Sequence, residues 1–221
     1  MPRHTPGRVL LICNGEAPSR TLIRSLARRA DLVVAADGGA NTARACGIRV
    51  DVIIGDLDSI HPATTRYYRR SLLLHVPRQD NTDLEKALDY LAANGPREVA
   101  IVGATGGRLD FTLGNLSVFW NYLSFLDISF RGDGWRAVAV GNARSMRAAR
   151  GTTVSLVPFG QCEGITLHGL HYPLRNAAMR VGEIGVSNVV LRSPFRVSVK
   201  RGNMLLILFE KHRARRGSAR W

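Results

Sequence analysis

The chain is short of three things that would have fixed its class at once. It has 3 cysteines in 221 residues, Cys13, Cys46 and Cys162, an odd number with no Cys-x-x-Cys spacing. That argues against a disulfide framework or a zinc site and predicts reduced thiols. It has no apolar run that could span a bilayer, and "VLLIC" near the start is too short for a signal-peptide core, so a soluble cytoplasmic protein is expected. It is also short of acid. Against 31 Lys and Arg stand 17 Asp and Glu, a formal net charge of +14. Lysine itself is nearly missing from that basic set, confined to Lys86, Lys200 and Lys211. Such a balance favours anionic partners, nucleic acid or phosphorylated small molecules, and is silent about fold. No histidine stands in a Ser-His-Asp or Cys-His context, so nucleophilic catalysis of that kind has no candidate.

What is present is a folding pattern. The hydrophobic share, 45%, is that of a globular chain. Strand-like runs "RVLLIC", "LVVAAD", "VIIGD", "LLLHV" and "EVAIVG" alternate with helix-like segments over 19–30, capped by Ser19, and over 82–93 and 109–122. Short unbroken apolar strands alternating with helices predict a parallel sheet covered on both faces. From about residue 129 strands follow strands, with period-two alternation in "FRVSVK" and turn signals in "RGDG", "PFG" and "RGN". The expected fold class is α/β. An N-terminal three-layer domain with a mostly parallel sheet, 1–130, precedes a C-terminal antiparallel β-sandwich domain, 131–212. The basic stretch 213–221 is expected to be a disordered tail.

Ligands of open parallel sheets bind outside the carboxyl ends of the strands. The polar residues gather there: Asp37 in "ADGGAN", Asp56 and Asp58 in "GDLDS", Gln79, Asp80 and Asp83 in "RQDNTD", Arg108 and Asp110 in "GATGGRLD". In an extended backbone Asp56 and Asp58 point to one face, where two like charges repel unless a cation lies between them. A hard divalent ion such as Mg²⁺ suits that pair, although Asp58 and Ser59 could instead cap a turn before Pro62. Thr82 and Glu85 have capping-box spacing, which places Asp83 in a first helical turn; a helix-dipole role alone would explain it, and a metal role is compatible. The glycines of "GATGG" let backbone amides approach phosphate, and Arg108 adds a guanidinium that can pair with it. Asp110 could hold Arg108 or cap the helix.

Taken in order, "ADGGAN", "VDVIIGDLDSI", "QDNTDLEKAL", "GGRLD" with "LGNL", "GLHYPL" and "GVSN" resemble the thiamine pyrophosphokinase (thiamine diphosphokinase) family over most of the chain, about 8–210. The resemblance implies a nucleotide-binding α/β domain, a β-sandwich domain and a homodimer. It also implies Mg²⁺-dependent transfer of pyrophosphate from ATP to the hydroxyl of thiamine, releasing AMP. By position it makes Asp56, Asp58 and Asp83 metal carboxylates with Arg108 catalytic beside them. It puts Asp37, Asn41, Ser59, Gln79, Thr82, Arg108 and Asp110 around ATP. Tyr172, Ser187 and Asn188 fall in the thiamine pocket, reaching a partner subunit's active site; read from the residues alone, Tyr172 is sandwich core and "SN" a turn.

The chain departs from the family pattern at Phe111, where His is usual, at Arg78 and His171, and at Val50, where Pro is frequent. Two other readings remain: a metal-dependent nucleotide-sugar transferase using "DLD", with no visible acceptor site, and a basic RNA-binding protein. The second gains from the charge but lacks basic-aromatic interleaving, and its carboxylates would repel phosphate without a metal.

Overall fold

The structure, a computed structural model, describes residues 6–210 apart from 79 and 184. Gln79 and the basic tail therefore lie outside the described residues. No helix among them is long and apolar enough to cross a membrane. The chain divides between Asp133 and Gly134 into two compact units.

The first unit is a six-stranded parallel sheet: β1 Arg8–Ile12, β2 Leu32–Ala36, β3 Val52–Gly55, β4 Leu72–His75, β5 Glu98–Val102 and β6 Asp127–Gly132. Their spatial order is β4-β3-β2-β1-β5-β6. The chain thus builds outward from β1 through β4, then returns to β1's other edge with β5. The strand order reverses at β1 and β5, which is where an open α/β sheet leaves its ligand crevice. The apolar runs explain the strands: four of five residues in both β1 and β2 are buried, as strands covered on both faces require.

Among the described residues, five α-helices alternate with these strands: α1 Arg20–Ala27, α2 Gly39–Ala45, α3 Pro62–Tyr67, α4 Asp83–Asn94 and α5 Leu109–Val118. Ser19 caps α1 by accepting from the Leu22 amide at 3.3 Å, and its own amide and hydroxyl each donate to the Asp133 carboxylate at 2.6 Å. Around β1–β3, Leu10, Ile12, Val33, Ala35 and Ile53 pack against Ile23 of α1 and Ala40 and Ala43 of α2. The continuous helix expected over 109–122 is instead α5 followed by a 3₁₀ turn, Phe119–Tyr122. Phe119, fully buried edge-on to Phe130 at 5.1 Å, lies at that change.

The change to strand-after-strand patterning near 129 is not where the parallel sheet ends. Strand β6 pairs parallel with β5, from Glu98 opposite Asp127 to Ile101 opposite Phe130. Its alternation looks the same in sequence whichever way its partner runs.

The second unit is antiparallel: β7 Trp135–Val140, β8 Ala143–Met146, β9 Thr153–His168, β10 Ala177–Met179, β11 Gly185–Val189, β12 Phe195–Ser198 and β13 Arg201–Phe209. Strand β9, 16 residues long, organises it. Its first half pairs with β13 and β11, its second half with β12 and β10. Gly160 and Gly164, at φ 95° and 66°, lie where it passes from one set to the other. Val154, Leu156, Ile165 and Leu167 of β9 meet Phe195, Val197, Leu206 and Leu208 in one core.

Candidate active site

The carboxyl ends of the parallel strands surround a cavity of about 430 Å³, lined among others by Cys13, Asp37, Ser59, Asp83, Gly107 and Arg108. Five separate strand ends or helix starts supply them, Gly107 and Arg108 sharing the turn after β5, so the expectation of one shared mouth holds for the first unit.

Asp37 follows β2 in a left-handed conformation, φ 43°, that non-glycine residues adopt rarely and Asp or Asn more readily than most. It is 2% exposed, and its Oδ1 is buried without a hydrogen-bond partner among the described residues. Burial raises its pKa. The Gly38 amide and Ser59 hydroxyl oppose that rise in part, and the charges of Asp83 and Asp56 add to it. One carboxylate oxygen each from Asp37, Asp56 and Asp58 lie within 4.8 Å of one another.

The convergence of Asp56 and Asp58 has a different cause from the expected pleat. Strand β3 ends at Gly55, and Leu57 between the two aspartates is at φ 66°, so a turn brings them together. The Asp58 amide faces Asp56 Oδ1 at 3.4 Å, and the Ser59 hydroxyl donates to Asp58 Oδ1 at 2.9 Å. Gly55 is fixed by crowding: an added Cβ would stand 2.8 Å from Asp37 Cβ and 3.0 Å from Asp83 Oδ1. Asn41 of α2 staples the same segment. Its Nδ2 donates to the Ser59 carbonyl at 2.8 Å, and its Oδ1 accepts from the His61 amide at 3.1 Å.

Asp83 opens α4, where the capping box is complete. Thr82 Oγ1 accepts from the Glu85 amide at 3.2 Å, and Glu85 accepts from the Thr82 amide at 2.8 Å. One turn on stands the residue that sequence reasoning missed. Lys86, with its side chain 2% exposed, donates to Asp83 Oδ1 at 2.9 Å and lies 3.8 Å from Asp56 Oδ2. Of the three expected metal carboxylates, Asp56 and Asp58 therefore group with Asp37, while Asp83 is joined to Asp56 through a buried ammonium. The sequence carries only a weak signal for it, the rarity of lysine beside 28 arginines, and a lysine three residues after Asp83 otherwise reads as solvated helix surface.

The opposite wall is the glycine turn after β5. Gly103, φ 68°, packs so tightly that an added Cβ would meet the Cys13 carbonyl oxygen at 2.5 Å. Gly107, φ 66°, faces open space. Asn115 of α5 is buried and donates to the Ala104 carbonyl at 2.8 Å, tying helix to turn. Arg108 pairs with Asp110 through Nε at 3.1 Å and Nη2 at 2.5 Å, which raises the arginine's pKa and lowers the aspartate's. Asp110 Oδ1 also accepts from the Phe111 amide at 3.0 Å. Cys13 is no nucleophile: burial, with the Asp83 charge adding, pushes its thiol up to about 12.

In the second unit, Tyr172, Ser187 and Asn188 come together. The Tyr172 amide donates to Asn188 Oδ1 at 3.0 Å, and Asn188 Nδ2 donates to the Tyr172 carbonyl at 2.8 Å. Asn188 is buried and locks that backbone, whereas the Tyr172 ring is exposed and Ser187 is held at φ 61°.

Two family models match in series: the thiamin pyrophosphokinase catalytic domain over residues 23–129 and the thiamin pyrophosphokinase vitamin B1 binding domain over 144–204. Thiamine pyrophosphokinase 1 of Oryza sativa subsp. japonica is 29% identical over 201 residues, covering 77% of this chain and 76% of its own. Thiamine pyrophosphokinase of Bacillus subtilis is 28% identical over 184 residues, covering 80% of this chain and 86% of its own. The crystal structure of the Bacillus subtilis protein superposes with a TM-score of 0.81 at 24% identity, over 92% of this chain and 99% of that one. That of yeast thiamin pyrophosphokinase gives 0.76 at 18%, over 94% and 87%. With both domain models matched in order over most of its length, and the carboxylate cluster and glycine turn on the first of them, the chain belongs to the thiamine pyrophosphokinase family.

Proposed function

We propose that this enzyme takes its pyrophosphoryl group from ATP, releases AMP, and works with Mg²⁺ held by Asp37, Asp56 and Asp58. The observation that carries this reading is the buried Asp37 Oδ1, without a donor among the described residues, in a trio of carboxylates beside the glycine turn. An unpaired buried carboxylate oxygen costs stability, and an all-oxygen donor set is what a hard divalent cation takes. Bound there, Mg²⁺ would neutralise phosphate oxygens of the nucleotide. The chain supplies the rest. Asp83, whose Oδ1 accepts from Lys86, adds negative charge beside the trio and would strengthen its hold on a cation. Gly107 leaves room for the phosphates, and Arg108 meets them with Nη1, which has no hydrogen-bond partner among the described residues. Ser59, Thr82 and Asp110 complete the nucleotide side, and Asn41 holds the Ser59 segment in place. In the transfer, the thiamine hydroxyl oxygen bonds to the β-phosphorus as the bond to the α,β-bridging oxygen breaks. AMP leaves with that electron pair, and the hydroxyl proton passes to solvent. Positioning and electrostatics are the main demands of such a step.

Thiamine, in this reading, is held by Tyr172 and Ser187 of a second copy of the chain, with Asn188 fixing the backbone that presents Tyr172. The support is exposed apolar surface: Leu109 and Leu113, one helical turn apart on α5, are 71% and 57% exposed, and Tyr172 is 61% exposed. The test is turnover of the purified protein with thiamine, ATP and Mg²⁺. AMP and thiamine diphosphate are expected in equal amounts, EDTA should stop the reaction, and Asp56→Asn should slow it on the order of 100-fold or more. Stoichiometric ADP would refute the assignment of the donor step.

A further inference from the structure

Arg108 occupies an awkward place. It is the N-cap residue of α5 and makes no side-chain cap hydrogen bond. Its positive charge there opposes the helix dipole, and its side chain is 71% exposed. A long cation in such a position ordinarily samples many rotamers. Two neighbours restrain it. Asp110 takes Nε and Nη2, and the guanidinium carbon stands 4.4 Å from the centroid of the Phe111 ring. Phe111 is itself 49% exposed and lines the same cavity as Arg108. An aromatic ring left half in water at a cavity mouth is not core packing. Its occupied role is the cation above it.

We propose that Phe111 is a positioning residue for Arg108. Its ring, acting with Asp110, holds the guanidinium at the rim of the cavity with Nη1 left for the donor's phosphates. The two restraints act on different parts of the group: the carboxylate takes one edge through hydrogen bonds, and the ring attracts the cation through its face. The π-system does this without competing for the in-plane donors. A second carboxylate would hold the guanidinium equally well, but it would consume those donors and repel the phosphates. An aliphatic side chain would fill the space without attracting the charge. This inference rests on the nucleotide reading of the cavity given above.

The experiment is a double-mutant cycle on nucleotide binding, read by calorimetry with a non-hydrolysable ATP analogue and Mg²⁺, so that turnover is not needed. Phe111→Leu keeps volume and removes the π face; it should weaken binding about threefold and raise KM for ATP with kcat little changed. Phe111→Tyr, which keeps the face, should bind as the native protein does. In the Arg108→Ala background, Phe111→Leu should have no further effect. Circular dichroism melts of each variant separate misfolding from lost positioning, and Phe111→Tyr repeats the test with the least disturbance. If Phe111→Leu weakens binding equally with and without Arg108, or not at all, the positioning role is overturned while the nucleotide reading stands. If the native protein binds no nucleotide, both fall.

Discussion

Asp37 is buried at the end of β2 with its charge close to those of Asp56 and Asp83. Burial raises its pKa, so the folded chain holds a proton there to higher pH than the unfolded chain does. The stability linked to that proton is fully present below the unfolded value near 3.8 and is lost as pH rises through the raised, folded value. Without divalent cation, Asp37→Asn should therefore be more stable than the native protein at pH 7 in urea unfolding, with the gap closing as pH falls toward 4. Added Mg²⁺ should stabilise the native protein and not the variant. Lys86→Met makes the opposite case. It removes a charged hydrogen bond to Asp83 and should lower the unfolding free energy by about 1.5–3 kcal/mol, with Mg²⁺ restoring part of it by replacing the lost positive charge. These residues were unequally legible in the sequence. Asp56 and Asp58 announce themselves because carboxylates at the end of an apolar strand are rare. Lys86 does not, since a lysine in a helix's first turn usually reads as solvated surface, and only the fold reveals that this position faces the carboxylates.

The capping box of α4 was readable from four residues because it depends on local hydrogen bonds alone. Thr82→Ala should cost about 1 kcal/mol, seen as a fall in Tm of about 2–4 °C, and should loosen Asp83 with it. The strand-helix alternation of the first unit was readable from its apolar runs and their periodicity, which are also local in sequence. The place of β6 was not, because a strand's partner is set by tertiary pairing that leaves no local mark. The pairing of Asp56 with Asp58 was expected from a strand's pleat and is achieved by the left-handed Leu57. The predicted juxtaposition and the observed one coincide for different reasons.

In the whole molecule, the sequence places the groups proposed for the nucleotide at the carboxyl ends of one sheet, since strand ends of a parallel sheet must lie together. It places the residues proposed for thiamine only by resemblance. Their proposed partner is another copy of the chain, so Leu109→Glu with Leu113→Glu should shift the protein to a monomer in sedimentation velocity and abolish turnover, leaving the helical circular dichroism intact. The proposed reaction turns on which bond of the nucleotide breaks. Incubation with thiamine, Mg²⁺ and ATP labelled at the β-phosphorus tests it most directly. All transferred label should appear in thiamine diphosphate with unlabelled AMP as the nucleotide product; label retained in ADP would contradict it.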